Sequence, residues 1–157
     1  MRVPLLDLER QNAPLKERFF LALNKVFEKQ NFILGEEVAE FESEVAKYCG
    51  VKYALGVSSG TDALLMALMA LNIGHGDEVI TTPFSFFATA GVIHRAGARP
   101  VFCDIDPLTF NMDPNLLESI ITEKTKAIIP VHLYGQCCEM EKIISIANKY
   151  RLPIIED

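Results

Sequence analysis

The sequence predicts an α/β protein in which helices flank a mainly parallel β-sheet, giving three α/β/α layers. From residue 51 onward, short apolar runs alternate with longer helical patterns, and glycine and proline separate many of them. Half of the 157 residues are hydrophobic and 23% are charged, as in a soluble globular domain with a substantial core. Strands that alternate with helices form β-α units, and β-α units give a parallel sheet.

The amino-terminal segment, residues 1–50, is predicted to be helical and to precede the α/β part at residues 51–157. Residues 1–12 are predicted to be extended. A helix is predicted from Pro14, which suits the first helical position, to about Gln30. Its 3.6-residue periodicity predicts one apolar face, which consists of Leu15, Phe19, Leu23, Val26 and Phe27.

A second helix is predicted to begin at Glu36, because acidic residues in the first turn suit the helix dipole, and to stop before Gly50. Between the two helices, residues 31–35 are apolar without periodicity, which predicts a loop that exposes hydrophobic side chains. The second helix has an expected inward face, which consists of Val38, Phe41, Val45 and Tyr48.

The α/β part is predicted to form strands at its short apolar runs, which are Tyr53–Val57, Glu78–Thr81, Pro100–Cys103, Ala127–Leu133 and Leu152–Ile155. The helices predicted between them are Thr61–Asn72, Ser85–Ala96, Asp113–Ile121 and Glu139–Tyr150. Asp113 and Pro114 pair a capping residue with a proline at the first helical position. The first of these helices is apolar on nearly every side, so it is expected to be buried.

Charge and composition argue against several classes of protein. A net charge of −6, without any run of lysine or arginine, argues against a nucleic-acid-binding protein. The longest strongly apolar run, Ala63–Leu71, is too short to span a bilayer, which needs about 20 residues. The chain reaches the charge of Asp7 too early for a signal peptide, so the cytoplasm is the expected location.

The chain contains four cysteines, Cys49, Cys103, Cys137 and Cys138. None of them belongs to a CxxC pair, so neither a zinc site nor a disulfide framework is predicted. Three are expected in the core, and one of Cys137 and Cys138 is expected to be exposed. His132 lies near this pair in the sequence, but no metal ligand set is predicted.

The residues that follow the predicted strands carry the candidate functional groups, because ligands bind beyond the carboxyl ends of parallel strands. Ser59, Gly60 and Thr61 join a strand to a helix, where free amides and the helix dipole favour a phosphate. The same residues are also an ordinary N-cap sequence. An aromatic cluster follows the second strand at Phe84–Phe87, and a carboxylate follows the last strand at Asp157.

A phosphate site, an aromatic ring and a carboxylate together meet the binding needs of pyridoxal phosphate. The phosphate needs hydrogen-bond donors, the ring needs a stacking surface, and the pyridine nitrogen needs an acid that keeps it protonated. A nucleotide-binding sheet presents similar groups, so the residues by themselves leave both interpretations open.

The chain resembles the amino-terminal part of the DegT/DnrJ/EryC1/StrS aminotransferases, the sugar aminotransferases of the fold-type I pyridoxal phosphate superfamily. The resemblance implies that residues 51–157 are the first part of the cofactor-binding large domain, with the remainder of that domain absent. The matching segments follow one another in the family's order along essentially the whole chain. They are Pro4–Leu8, Phe32–Gly35, Glu40–Glu42, Ser58–Leu64, Thr82–Thr89, Asp104–Pro107, Pro130–Gln136 and Ile154–Asp157.

By position, the resemblance implies that Ser59, Gly60 and Thr61 hold the cofactor phosphate. It also implies that Phe86 stacks on the ring and that Asp157 binds the pyridine nitrogen. A homodimer, a nucleotide-linked keto sugar as substrate and glutamate as the usual amino donor are implied as well. Local sequence alone is also compatible with Ser59, Thr61 and Asp157 as helix caps, and it favours Phe86 as a core residue.

The essential lysine of the family, which forms the Schiff base with the cofactor, lies in a segment beyond Asp157. No lysine of this chain has a similar context, so no catalytic residue is assigned, and the 157-residue chain by itself is expected to be inactive. It is also expected to be poorly soluble, because a cut sheet exposes an edge and apolar surface. Two alternatives stay open: a sugar dehydratase of the same family with histidine at the lysine position, or a non-catalytic remnant that only binds cofactor or pairs with a full-length subunit.

Overall fold

The computed structural model describes residues 5–157. The chain divides into two compact units, Met1–Gly56 and Val57–Asp157. The extension predicted for the first four residues lies outside the described part of the chain. Within the described part, no helix combines the length and the apolar character needed to cross a membrane.

The helices of the first unit are α1 (Leu8–Asn12), α2 (Lys16–Lys29) and α3 (Glu36–Cys49). The prediction of an extended chain is wrong for residues 8–12. The reason is local, because the side chain of Asp7 caps α1 by accepting a hydrogen bond from the Arg10 N–H at 3.0 Å. Pro14 lies in a short 3-10 helix, so α2 begins later than predicted.

The loop between α2 and α3 matches its prediction. Gln30 adopts a left-handed conformation with φ 54°, which ends α2. In the loop that follows, Ile33 and Leu34 are 81% and 82% exposed. Gly35 then begins α3 in an extended conformation, and Gly50 ends that helix with φ 66°.

The prediction of an inward face is wrong for Phe41 and Tyr48 of α3, and most of the apolar face of α2 is exposed as well. Phe19 and Phe27 of α2 are exposed, as are Phe41 and Tyr48 of α3, and Ala46 is the buried residue of that helix. The periodicity is real, but an apolar stripe is buried only when another element covers it. Within the first unit, the described residues provide no sheet that could cover these stripes.

The second unit contains the predicted parallel sheet. Its strands β1 (Glu78–Thr81), β2 (Arg99–Phe102) and β3 (Thr125–Ile128) lie in the order β2-β1-β3, and both neighbouring pairs are parallel. The register places Ile80 of β1 opposite Val101 of β2 and opposite Ile128 of β3. All three strands therefore direct their carboxyl ends toward the same edge of the sheet.

Three of the predicted strands differ from the prediction. The run Ala127–Leu133 is a strand only as far as Ile128, and Leu133 begins a 3-10 helix. Tyr53–Val57 forms no strand in the described structure, because a strand needs a paired neighbour, and the Gly56 N–H instead donates to the Glu42 side chain at 2.7 Å. The last predicted strand is reduced to a single parallel bridge between Ile154 and Ile128. Its backbone nevertheless continues to pair beside β3 as far as Asp157.

Four helices accompany the sheet: α4 (Gly60–Ala70), α5 (Ala88–Arg95), α6 (Pro114–Leu117) and α7 (Met140–Tyr150). The helix predicted to begin at Ser85 begins only at Ala88, because the chain bends at residues 83–85 first. The expectation that α4 is buried on nearly every side is wrong. Leu64 and Leu68 are its buried residues, whereas Met69 is 63% exposed.

Helices cover both faces of this sheet. Val79 and Ile80 are neighbours in β1, and consecutive strand residues point to opposite faces. Val79 packs in a buried cluster with Leu68 of α4 and Ile93 of α5, and Ile80 packs in a second cluster that includes Ile143 of α7. The second unit therefore has the three α/β/α layers that the sequence predicts.

Replacing Leu68 by alanine should lower the free energy of unfolding by about 2–5 kcal/mol, because Leu68 is completely buried and its removal leaves a cavity. Chemical denaturation followed by circular dichroism measures this change. Met69→Ala, which alters the exposed neighbour, should change the stability by less than about 1 kcal/mol. Equal losses in the two variants would contradict the burial of α4 on one face.

The cysteines divide evenly between core and surface. Cys103 and Cys138 are buried, Cys49 and Cys137 are exposed, and all four are free thiols. The expectation of three core cysteines is therefore wrong for Cys49, which ends the amphipathic helix α3. Burial raises the pKa of the Cys103 thiol to about 11, which makes it inert at neutral pH.

Candidate cofactor site

The carboxyl ends of the strands open into a cavity of about 410 Å³. Four of the five predicted site residues line it, and they come from three separate parts of the sequence: Gly60, Thr61, Phe86 and Asp157. Ser59 does not line it. The fold of the second unit thus brings together residues that are nearly a hundred positions apart, as expected for the carboxyl edge of a parallel sheet.

The N-terminus of α4 provides hydrogen-bond donors to this cavity. Ser59 is the N-cap, and its side chain accepts from the Asp62 N–H at 3.1 Å while its carbonyl accepts from the Ala63 N–H at 3.0 Å. The N–H groups of Gly60 and Thr61 precede the first intrahelical bond and have no acceptor among the described residues. Two backbone donors and the positive end of the helix dipole are therefore available to an anion.

The Asp62 carboxylate competes with any bound anion for the hydroxyl groups of Ser58 and Ser59. The Ser58 and Ser59 hydroxyls both donate to its carboxylate, the latter at 3.0 Å, and these bonds lower the pKa of Asp62. Ser59 is therefore the N-cap that local sequence suggests. It can donate to a phosphate only after it releases Asp62.

Phe86 stands at the entrance to the cavity as a free aromatic surface. The residue is 76% exposed, and its ring meets the ring of Phe87 edge to face, with the ring centroids 6.4 Å apart. Its carbonyl accepts a hydrogen bond from the Thr89 N–H at 3.1 Å, which anchors it to the start of α5. The described structure therefore does not support the interpretation of Phe86 as a core residue.

Asp157 is held beside the end of β3. Its N–H donates to the Pro130 carbonyl at 3.0 Å, and its carbonyl accepts from the His132 N–H at 2.9 Å. Its carboxylate accepts a hydrogen bond from the Thr89 hydroxyl at 2.6 Å. Backbone and side chain are thus both fixed, and the carboxylate lies at the cavity wall.

His132 also lines the cavity. Its Nδ1 accepts from the Cys138 N–H at 3.1 Å, so the ring proton resides on Nε2. Nε2 then donates to Glu156 at 2.8 Å. The imidazole is therefore held in one tautomer and one orientation beside Asp157.

Asn111 is a site residue that sequence reasoning missed. Its buried side-chain amide donates to the Gln136 carbonyl at 2.9 Å, and its oxygen accepts from the Leu133 N–H at 3.1 Å. These bonds hold the turn in which Tyr134 adopts a left-handed conformation with φ 54° and lines the cavity. An asparagine in a loop carries no local signal for such a role.

The described residues contain no group of three or more His, Cys, Asp or Glu side chains that could hold a metal ion. The groups at the cavity match an anionic aromatic molecule better than a metal. They offer free amide donors at a helix N-terminus, an exposed ring and a fixed carboxylate. This set fits the phosphate, the ring and the protonated ring nitrogen of pyridoxal phosphate.

Comparison with known proteins identifies the family. The model of the DegT/DnrJ/EryC1/StrS aminotransferase family matches residues 14–157. The chain therefore belongs to this family, as the sequence motifs predicted.

Two curated relatives are similar over nearly the whole chain. A pleiotropic regulatory protein of Geobacillus stearothermophilus is 54% identical over 157 residues, which are 100% of this chain and 42% of that protein. A UDP-2-acetamido-2-deoxy-3-oxo-D-glucuronate aminotransferase of Pseudomonas aeruginosa is 48% identical over 155 residues, which are 99% of this chain and 43% of that protein. The chain thus spans less than half the length of these relatives.

Two solved structures share the fold. DesV of S. venezuelae, in complex with a ketimine intermediate, superposes with a TM-score of 0.96 at 39% identity, covering 99% of this chain and 42% of its own. NtdA of Bacillus subtilis, with the cofactor PMP bound, superposes with a TM-score of 0.95 at 39% identity. The match covers 99% of this chain and 36% of NtdA. The chain therefore shares its fold with the corresponding parts of DesV and NtdA.

Proposed function

We propose that the protein containing this chain is a pyridoxal-phosphate-dependent aminotransferase that acts on nucleotide-linked keto sugars in amino-sugar or polysaccharide biosynthesis. The observation that carries the proposal is the single cavity that combines free helix amides, an exposed aromatic ring and a fixed carboxylate. The aminotransferase of Pseudomonas aeruginosa and a dTDP-3-amino-3,6-dideoxy-alpha-D-galactopyranose transaminase of Aneurinibacillus thermoaerophilus, 46% identical, support the substrate class.

Each site residue has a distinct task in this proposal. The N–H groups of Gly60 and Thr61 bind the phosphate, with Ser59 as a further donor once it releases Asp62. The ring of Phe86 covers one face of the pyridine and keeps water from it. Asp157 holds the proton on the ring nitrogen. When bound, the cofactor supplies an electron sink for a carbanion next to the transferred nitrogen.

The group that bonds covalently to the cofactor is not supplied by this chain in our proposal. All nine lysines belong to the described residues, each is exposed, and none lines the cavity. We infer that the lysine is supplied by sequence outside residues 1–157. Glutamate is the proposed amino donor, and the cytoplasm is the proposed location.

We also propose that the intact protein works as a homodimer. Support comes from the first unit, where large apolar side chains of α2 and α3, such as Phe19 and Tyr48, are exposed. Such surface is usually covered by other protein. Sedimentation of the intact protein should give twice the mass of one chain, and a stable monomer would exclude this part of the proposal.

The cofactor proposal is tested by purifying the intact protein and identifying what it binds. We expect pyridoxal phosphate or pyridoxamine phosphate in the purified protein, and amino transfer from glutamate to a nucleotide-linked keto sugar. A nicotinamide or adenine nucleotide in its place, without any pyridoxal phosphate, would overturn the cofactor assignment.

Replacing Gly60 by alanine should separate cofactor binding from folding. A Cβ at Gly60 meets no atom within 4 Å, and its φ is not left-handed, so alanine should raise the stability by about 0.4–1 kcal/mol. The methyl group should nevertheless keep the phosphate from its closest approach to the backbone amides. We therefore expect about tenfold weaker binding of pyridoxamine phosphate, measured by calorimetry.

Gly74→Ala is the matched control for this experiment. A Cβ at Gly74 makes only an ordinary contact, 3.6 Å from the Ala96 carbonyl oxygen, and Gly74 does not line the cavity. It should gain similar stability without any change in affinity. Unchanged affinity in Gly60→Ala would place the phosphate elsewhere.

A further inference from the structure

Thr89 is a buried polar residue that the family assignment does not explain. It lies in the first turn of α5 and is 1% exposed. Its hydroxyl is 2.6 Å from Oδ2 of Asp157 and 2.7 Å from the hydroxyl of Ser85. A buried threonine thus links α5 to the carboxylate of Asp157, which lies beyond the carboxyl end of β3.

The direction of these two hydrogen bonds follows from the carboxylate. An ionised aspartate only accepts, so the single proton of the Thr89 hydroxyl is donated to Asp157. Thr89 must then accept from Ser85, which is therefore the donor of the second bond. Ser85 therefore donates to Thr89 and Thr89 donates to Asp157, so each hydroxyl group donates its single proton to one acceptor.

These two hydrogen bonds, which we call the Ser85–Thr89–Asp157 relay, leave one carboxylate oxygen of Asp157 available to accept a further hydrogen bond. Oδ2 is engaged by Thr89, whereas Oδ1 has no hydrogen-bond donor among the described residues. Thr89 is held in turn, because its N–H donates to the Phe86 carbonyl at 3.1 Å and its side chain is branched at Cβ and has few rotamers. Free rotation of the carboxylate is thereby restricted.

We propose that Thr89 is a positioning residue for Asp157, and that Ser85 orients the Thr89 hydroxyl so that Oδ1 faces the cofactor ring nitrogen. This proposal rests on the proposed function for the role of Asp157. Thr89 and Ser85 both line the cavity. In this proposal Thr89 acts through the carboxylate, and the two probes described below separate that effect from a direct contact with the cofactor. The same residue also ties the ring-stacking Phe86 to the carboxylate, so two of the cofactor contacts share one anchor.

The test uses the intact protein and replaces Thr89 by valine, which keeps the shape and removes the hydroxyl. One readout needs no cofactor: crystal structures of wild type and T89V show whether the Asp157 carboxylate keeps its orientation. We expect it to rotate in T89V. The other readout is the affinity for two probes, pyridoxamine phosphate and its 1-deaza analogue, which lacks the ring nitrogen.

T89V should bind pyridoxamine phosphate about tenfold more weakly and the deaza analogue as tightly as wild type does, because only the first has a nitrogen for Asp157. A general loss of structure would weaken both probes equally. Thr89→Ser, which restores the hydroxyl, should recover most of the affinity. Thr81→Val is the matched control, since it removes another buried hydroxyl, bonded to the Ile129 carbonyl at 2.9 Å away from the cavity, and should leave both affinities unchanged.

These measurements distinguish a failure of the positioning role of Thr89 from a failure of the proposed function. An unmoved carboxylate in T89V, or equal losses for the two probes, overturns the positioning role. A carboxylate that rotates in a protein that binds neither probe supports the positioning role and rejects the proposed function. If T89V does not fold, Ser85→Ala is measured in the same way. A smaller loss of affinity that is confined to pyridoxamine phosphate supports the relay, and unchanged affinity for both probes overturns it.

Discussion

Replacing Asp157 by asparagine should lower the rate of amino transfer by the intact protein by roughly 10²–10³-fold. An amide cannot hold a proton on the ring nitrogen as a carboxylate does, so the ring would accept electrons poorly. The fold should survive, because the backbone bonds of Asp157 to Pro130 and His132 do not involve the side chain. Steady-state kinetics, with melting temperature as a check on folding, measures the effect.

Asp104→Asn is the matched control for this substitution. Asp104 also follows a strand and is exposed, but it caps its own loop by accepting from the Ile105 N–H at 2.8 Å and does not line the cavity. It should retain nearly full activity. Comparable losses in both variants, or full activity in Asp157→Asn, would show that Asp157 has no role at the cofactor.

The 157-residue chain expressed by itself should catalyse no amino transfer at all. The cavity has donors, a ring surface and a carboxylate, but each of the nine lysines is exposed and away from it. No lysine amine of the described residues is therefore placed in the cavity to bond to pyridoxal phosphate. Borohydride reduction in the presence of the cofactor, followed by mass spectrometry, should detect no site-specific adduct.

The intact protein provides the positive control, since it should acquire one cofactor per chain on reduction. A stoichiometric adduct on a lysine of residues 1–157, or measurable amination of a keto sugar by that chain alone, would refute the prediction. If the intact protein carries histidine at the position of the family's lysine, reduction should yield no adduct there either, which would favour the dehydratase alternative.

The interpretation of the first unit shows the limit of periodicity. The pattern of Phe19 and Phe27 correctly predicts an amphipathic helix, because a 3.6-residue repeat is a property of the chain itself. It does not predict that this face is buried, and both rings are exposed. Burial depends on a covering element, and the described residues of this unit do not include one.

The run Tyr53–Val57 makes the same point for strands. Its residues favour an extended conformation, yet no strand forms there, since a ladder needs a partner with free backbone groups. In contrast, Glu78–Thr81 forms the strand that was predicted, because β2 and β3 flank it on both sides. Strand propensity alone could not distinguish these two runs.

Local sequence was sufficient for the class of fold, the β-α order and the positions of Gly60, Phe86 and Asp157, since each of these depends on neighbouring residues or on a family motif. Only the tertiary structure decided that these three residues meet in one cavity and that Thr89 binds the Asp157 carboxylate. The physical reason is distance along the chain. Hydrogen bonds between residues 68 positions apart depend on how helices and strands pack, and no local pattern records that packing.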